Sequence, residues 1–360
     1  MSSMSSAAEW RALIDAIGDL PDGAPTAALA TLVRTRGSTF RHAGTRMLVH
    51  VDGRVVCELS GGCPQSDIVA RARAVILEGK PLRVAYNAES GLDVLMEMGC
   101  GGELEVLIEP IERNEAMPWL APIETCLRER RPATLATWFA RDGATIAPCH
   151  ALGDGTTRST PAHDTLHAAL LRLRPERATV IAVTDAGGHD EILLEPVQPP
   201  HSLVVIGSNA TSHALLRLAD ALGWQATLVD NDPRRLDVSS LSPAIVTCCA
   251  APARLRQSLV LDPSTSVMVM THNLAQDAAC LHALEGMPLA YVGALSSRER
   301  AALLRAGLEA PGWALHAPAG LDIGANTPGE IALSIAAEIL AVQRAREGGP
   351  LRAGVSAVHA

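Results

Sequence analysis

The chain has 360 residues, 48% of them apolar, enough for two domains with cores of their own, although five Trp, two Tyr and two Phe are all its aromatics. A formal charge of −9 argues against nucleic acid or an anionic membrane as the main partner. No apolar run reaches the ~18 residues that span a bilayer, and the first residues lack the basic-then-apolar plan of a signal peptide, so a cytoplasmic protein is expected. The eight cysteines are dispersed without a Cys-x-x-Cys pair and read as free thiols rather than a zinc knuckle.

Residues 7–20 form the first expected helix, with Trp10, Leu13, Ile14 and Ile17 on one face and Pro21-Asp22-Gly23 as its stop. Residues 27–34 read as a buried strand. The connection after it is unusual in an acidic chain, because residues 34–54 hold five arginines and one acid, Asp52. Arg34, Arg41 and Arg46, with Gly37 and the hydroxyls of Ser38 and Thr39, are candidate contacts for a phosphate or other anion. A solvated basic loop is the alternative. Residues 47–51 and 55–59 read as a hairpin closed by Asp52-Gly53.

That hairpin leads into Ser60-Gly61-Gly62-Cys63-Pro64-Gln65. Two glycines allow a tight turn, Pro64 suits a first helical position, and Cys63 falls at the N-cap of a helix over 66–80 that buries Ile68, Val69, Ala72, Val75 and Ile76. A thiolate is favoured at the positive end of a helix dipole, where it can bind a soft metal or carry sulfur; an inert cysteine plugging a turn is the alternative. Residues 82–86 read as a strand. Gly99-Cys100-Gly101-Gly102 then places a second thiol where the backbone can approach a ligand closely, before a strand over 103–108. Cys63 and Cys100 are the candidate metal ligands: if they converge beside the basic loop, two soft donors suit a metal-bearing anion.

From 111 to 185 the signals weaken to a helix over 119–131, strands over 134–139 and 179–183, and a polar loop over 151–161. Cys149-His150 is the one cysteine–histidine neighbour pair and carries little weight. Leu193-Leu194-Glu195-Pro196 echoes Leu107-Ile108-Glu109-Pro110. A first domain over 1–195 is therefore expected, followed by a Pro-rich linker over 196–201, a second domain over 202–347 and a tail over 348–360.

The second domain alternates strand and helix: strand 202–206, helix 210–222 and strand 226–229 ending at Asp230, the β-α-β opening of a doubly wound parallel sheet. Its turn, Gly207-Ser208-Asn209-Ala210-Thr211-Ser212, keeps one of the three glycines of the dinucleotide fingerprint, which makes dinucleotide binding in the usual pose doubtful. Gly207, Asn209 (expected left-handed in the tight turn) and Asp230 are the candidate nucleotide contacts, with His272 at the carboxyl edge after strand 266–270. Further strands are expected over 244–247, 290–292 and 314–315. Ser296-Ser297-Arg298-Glu299 and Thr327-Pro328-Gly329-Glu330 match capping boxes, and Leu333, Ile335, Ala336 and Ile339 are the expected apolar face of the last helix.

Several short motifs in order resemble the xanthine dehydrogenase accessory proteins of the XdhC/CoxI type. They are Gly37-Ser38-Thr39 through Arg46-Met47, Gly61-Gly62-Cys63, Gly99-Cys100-Gly101-Gly102, Thr271-His272 with Asp277, Tyr291-Val292-Gly293, and Gly320-Leu321-Asp322-Ile323-Gly324-Ala325 through Thr327-Pro328. The resemblance implies a mixed α/β domain followed by a Rossmann-like one. It also implies a cytoplasmic, homodimeric factor that binds molybdenum cofactor and passes it to a molybdenum hydroxylase client, in some members while a cysteine desulfurase supplies sulfur. Gln65 replaces the family's carboxylate after the thiol, which points to a divergent member. A nicotinamide-dependent oxidoreductase using the second domain and a cofactor-free assembly scaffold are the competing readings.

Overall fold

The apolar run at 27–33 becomes strand β1 (Ala27–Arg36), buried along its first seven residues because both of its faces are covered. The computed structural model describes residues 7–37, 39, 41–59, 63–87, 102–111, 119–153, 173, 175–185, 188–350 and 352, with the backbone alone at Cys63. Two compact units divide between Pro199 and Pro200.

In the first unit, β1 joins β2 (Arg46–His50), β3 (Val55–Val56), β4 (Leu82–Tyr86) and β5 (Glu103–Ile111) in an antiparallel sheet of order β3-β2-β1-β5-β4. A second antiparallel sheet holds β6 (Ala133–Arg141), β7 (Ala144–Gly153), β8 (Thr179–Asp185) and β9 (Gly188–Val197) in the order β7-β6-β9-β8. Leu29 and Leu48 of the first sheet share a core with Leu135, Leu152 and Val197 of the second. Helices α1 (Ala7–Gly18) and α3 (Leu120–Arg128) add Trp10, Leu13, Ile123 and Leu127 to it. Helix α2 (Cys63–Glu78) covers the opposite face of the first sheet, packing Ile68, Ala72, Val75 and Ile76 on Ala28, Ala30 and Val106.

The two sheets repeat one plan. Ala27-Ala28-Leu29-Ala30-Thr31 in β1 answers Ala133-Thr134-Leu135-Ala136-Thr137 in β6, and Glu105-Val106-Leu107-Ile108-Glu109-Pro110 in β5 answers Glu191-Ile192-Leu193-Leu194-Glu195-Pro196 in β9. The register repeats as well: Leu29 lies opposite Glu109 as Leu135 lies opposite Glu195, and Thr31 opposite Arg46 as Thr137 opposite His150. Each pair of central strands carries its irregularity at the same place, between Leu32 and Arg34 and between Trp138 and Ala140. The echo at Glu109 and Glu195 is thus part of a duplicated four-strand motif.

Several details differ from the sequence expectations. The linker was expected from 196, but Pro196 and Val197 pair with Thr134 and Ala133, so the strand continues past that boundary. The polar loop expected at 151–161 begins later, since β7 runs to Gly153. The strand expected over 55–59 stops at Val56 because Cys57 takes a φ of 63°, outside the pleated range. Leu333, placed on a buried face, is 53% exposed.

The second unit is Rossmann-like. Parallel strands β10 (Ser202–Ile206), β11 (Gln225–Asp230), β12 (Val246–Cys249), β13 (Thr265–Val269), β14 (Tyr291–Ala294) and β15 (Leu315–His316) lie in the order β12-β11-β10-β13-β14-β15. Helices α4 (Ala210–Ala221) and α8 (Pro328–Gln343) pack in one core; α5 (Leu255–Ser258), α6 (Leu274–Leu284) and α7 (Arg298–Ala306) pack in the other.

Candidate functional site

Four chain segments meet at one end of the five-stranded sheet. Strand β1 arrives with Arg36 opposite Glu103, which opens β5, and β4 arrives with Tyr86 opposite Leu104. Helix α2 starts at this end, because Asp67 near its start accepts a hydrogen bond from the Tyr86 hydroxyl at 2.7 Å. Farther along the helix, Arg73 donates to the Val51 carbonyl at 3.1 Å, beyond the end where Ala27 lies opposite His50. The strand ends that flank loop 37–45 and segment 87–102, and the start of the helix that Cys63 opens, therefore share one edge.

The duplicated motif shows what those connections need not be. In the second sheet the β6–β7 connection is Asp142-Gly143 alone, and residues 186–187 join β8 to β9. Positive φ values of 48° at Asp142 and 78° at Gly143 give a tight hairpin turn. Residues 37–45 and 87–102 join the matching strands of the first sheet and are far longer than strand pairing demands.

Three of the arginines in and beside the loop are held by carboxylates. The Arg34 guanidinium lies between Glu105 at 2.7 Å and Glu191 at 2.6 Å, and Arg83 shares the same two carboxylates at 3.3 and 2.9 Å. Burial works to raise the Glu191 carboxyl, but the hydrogen bonds and charges of Arg34 and Arg83 outweigh it and hold it below the usual glutamate value. Arg41 pairs with Glu9 and donates to the Glu58 carbonyl at 3.1 Å, which ties the loop to the residues shortly before Cys63 in sequence. Arg46 is fully buried, pairs with Glu195, donates to the Gly44 carbonyl at 3.0 Å and lies over the Trp10 ring. Arg34, Arg41 and Arg46, the expected anion contacts, are each held by carboxylates from distant strands or from α1, which roots the loop in the rest of the unit. Arg36, 79% exposed and 3.9 Å from Glu103, projects into solvent at this end and was not singled out in the sequence.

Gly37 turns the chain out of β1 with a φ of 71°, and Thr39 is buried. Cys63 is the first helical residue, one position inside the expected N-cap. Its side chain, with Ser38, Gly61, Gly62, Gly99, Cys100 and Gly101, lies outside the described residues. Among the described residues no cluster of three or more His, Cys, Asp or Glu could hold a metal ion. Burial pushes the Cys57 thiol up to about 11, which disfavours its thiolate. The His150 side chain, 6% exposed, contacts Glu109 at 3.0 Å and Thr137 at 3.1 Å and packs tilted against the Trp119 ring.

In the second unit, the turn after β10 uses its own polar groups. Gly207 carries the positive φ, 103°, and a Cβ there would lie 2.7 Å from the Met270 carbonyl oxygen. Asn209 is extended (φ −159°), contrary to the left-handed expectation, because it is the N-cap of α4. Its Oδ1 accepts from the Thr211 and Ser212 amides at 2.9 and 3.0 Å, and its Nδ2 donates to the Met270 carbonyl at 2.9 Å. The Asn209 amide donates to Ser212 Oγ at 2.7 Å, the Ser208 amide to Asp230 at 3.0 Å and the Gly207 amide to the Val229 carbonyl at 2.8 Å. Buried Asp230 also accepts from the Asp232 amide at 3.0 Å. The amides that cradle a pyrophosphate in this fold, and the acid that holds a ribose, are thus internally satisfied. Titration with NADH should give no saturable binding up to about 1 mM, where a dinucleotide enzyme would saturate at micromolar concentration.

His272 is exposed at the carboxyl edge with a left-handed φ of 60°. Arg300 holds it there by donating to its carbonyl at 3.1 Å while pairing with Asp277, which also accepts from the Thr271 amide at 3.1 Å. The Gly320-Leu321-Asp322 motif is likewise architectural: a Cβ on Gly320 would meet Ser334 Oγ at 2.3 Å, and its amide donates to Glu338 at 2.8 Å.

Two family models match the chain, one described as the XdhC and CoxI family over residues 23–87, the other as the XdhC Rossmann domain over residues 203–339. A Bacillus subtilis (strain 168) protein named as a probable component of xanthine dehydrogenase is 26% identical over 323 residues, 88% of this chain and 93% of the relative. The Escherichia coli (strain K12) molybdenum cofactor insertion chaperone PaoD is 24% identical over 331 residues, 89% of this chain and 85% of the relative. A crystal structure described as a xanthine dehydrogenase from Bacillus halodurans superposes with a TM-score of 0.78 at 26% identity, covering 96% of this chain and 97% of that one. No described helix is long and apolar enough to cross a membrane.

Proposed function

Because the chain belongs to the XdhC and CoxI family, we propose that it binds molybdenum cofactor and delivers it to a molybdenum hydroxylase of the xanthine dehydrogenase kind, with no turnover of its own. The relatives named as a component of xanthine dehydrogenase and as a molybdenum cofactor insertion chaperone support this reading. The observation that carries it is the edge of the first sheet, where the strands joined by two connections longer than the fold requires end beside the start of α2. The cofactor's metal end faces Cys63 and Cys100, soft donors suited to molybdenum. Its phosphate lies along Gly37, Ser38 and Thr39, with Arg36 as the accessible cation and the first-turn amides of α2 completing the anion site. Arg34, Arg41 and Arg46 keep the loop in shape. The protein acts in the cytoplasm as a homodimer, and a cysteine desulfurase supplies sulfur while the cofactor is held.

The test is reconstitution. Cofactor-loaded protein mixed without oxygen with a cofactor-free molybdenum hydroxylase should restore its activity, and protein carrying Cys63→Ser with Cys100→Ser should not. Equal activation by both would remove the thiols from the site. The nicotinamide oxidoreductase reading is disfavoured by the satisfied turn after β10 and is decided by the NADH titration.

A further inference from the structure

The duplicated motif joins its copies by exchanging partners. Glu195 of the second sheet pairs with Arg46 of the first, while Glu109 of the first sheet contacts His150 of the second. The exchange occurs at matching register positions, since Arg46 and His150 both lie opposite a threonine, and Glu109 and Glu195 both opposite a leucine. The consequences differ between the two sides. Arg46 is the residue at which loop 37–45 re-enters the sheet, and it also donates to the Gly44 carbonyl at 3.0 Å. Gly44 sits against the second sheet, where a Cβ would fall 3.2 Å from Ala178 and 3.4 Å from Glu195. The outgoing end of the loop is gripped the same way, as Glu191 of the second sheet binds Arg34 at 2.6 Å. His150, by contrast, belongs to a β6–β7 hairpin closed by two residues, with no long loop to hold.

We propose that the second sheet acts as a clamp on the first, and that Glu195 is a positioning residue that holds loop 37–45 in its binding shape. This deepens the cofactor reading and rests on it for its purpose, though not for its test. In the structure the Gly44 amide donates to the Leu32 carbonyl at 2.8 Å and the Thr45 amide to the His42 carbonyl at 3.2 Å, so hydrogen exchange at these two amides reports the loop directly.

Glu195→Gln should speed exchange at Gly44 and Thr45 by about tenfold or more and lower the molybdenum cofactor retained by purified protein. The control is Glu109→Gln, which disturbs the reciprocal buried contact and should leave both readouts as in the parent. Should Glu195→Gln fail to fold, Arg46→Met with Glu195→Leu replaces the pair by apolar side chains of similar volume, which keeps the sheets together while removing the grip on Gly44. Parent-like exchange at Gly44 and Thr45 in that folded double variant, or equal acceleration by Glu109→Gln, would overturn the clamp. A parent that retains no cofactor would overturn the functional reading instead, and the exchange contrast would still decide the clamp.

Discussion

Arg46→Met is expected to lower the unfolding free energy by about 3–5 kcal/mol, because it leaves the Glu195 carboxylate buried without its counter-charge. Glu195 is 2% exposed and Arg46 0%, so water cannot take the place of either partner without the sheets parting. Arg46→Met together with Glu195→Leu is expected to recover nearly all of the loss and to match or exceed the parent. The pair is imperfectly compensated: Nε and Nη2 of Arg46 and Oε2 of Glu195 are buried with no hydrogen-bond partner among the described residues. Desolvation of those atoms offsets much of the Coulomb gain, so an apolar pair of similar volume competes well. Urea unfolding of the parent, the single and the double variant makes the comparison. A loss below about 1 kcal/mol for the single variant, the range of a solvated surface pair, would mean that the carboxylate reaches water.

The second large effect is expected at Gly207. Alanine there must hold a φ of 103° and must place its Cβ 2.7 Å from the Met270 carbonyl oxygen and 2.8 Å from the Thr271 Cα. Both obstacles are backbone, so no side chain can swing aside. The left-handed strain of about 1–2 kcal/mol and the overpacking of about 1–3 kcal/mol add to roughly 2–5 kcal/mol for Gly207→Ala. Asn209→Ala removes an N-cap and should cost about 1 kcal/mol, so the glycine variant should unfold at clearly lower urea. Equal midpoints for the two would show that the β10 turn and the Met270-Thr271 backbone are not in close contact.

Much of the fold was legible because it is locally encoded. The three-to-four spacing of Ile68, Ala72, Val75 and Ile76 marks α2, Asp52-Gly53 closes the β2–β3 hairpin, and the alternation of strand and helix after residue 200 marks the parallel sheet. Strand β7 escaped notice because Pro148 interrupts it and most of its residues are half-buried or exposed, which blurs the period-two pattern. The arginines illustrate a harder limit. Five basic residues in one stretch look like an anion site, but Arg34 is neutralised by Glu105 and Glu191, 71 and 157 residues away in sequence. Only the tertiary structure separates Arg36, which projects into solvent, from Arg34, Arg41 and Arg46, which do not. The duplication is faint in sequence for a similar reason. Its signature is two short patterns, Ala-x-Leu-Ala-Thr and a Glu, three apolar residues and Glu-Pro, separated by different lengths of chain in the two copies. Shared register and a shared irregularity make the pattern evident.

The most direct measurement of the account is the molybdenum and pterin content of the protein purified without oxygen from a host that makes the cofactor, beside Cys63→Ser and Cys100→Ser. The account predicts cofactor on the parent, and its loss from either variant while the fold is kept. A parent that carries neither molybdenum nor pterin, or thiol variants that hold both as well as the parent does, would contradict a cofactor site at the edge where Cys63 opens α2.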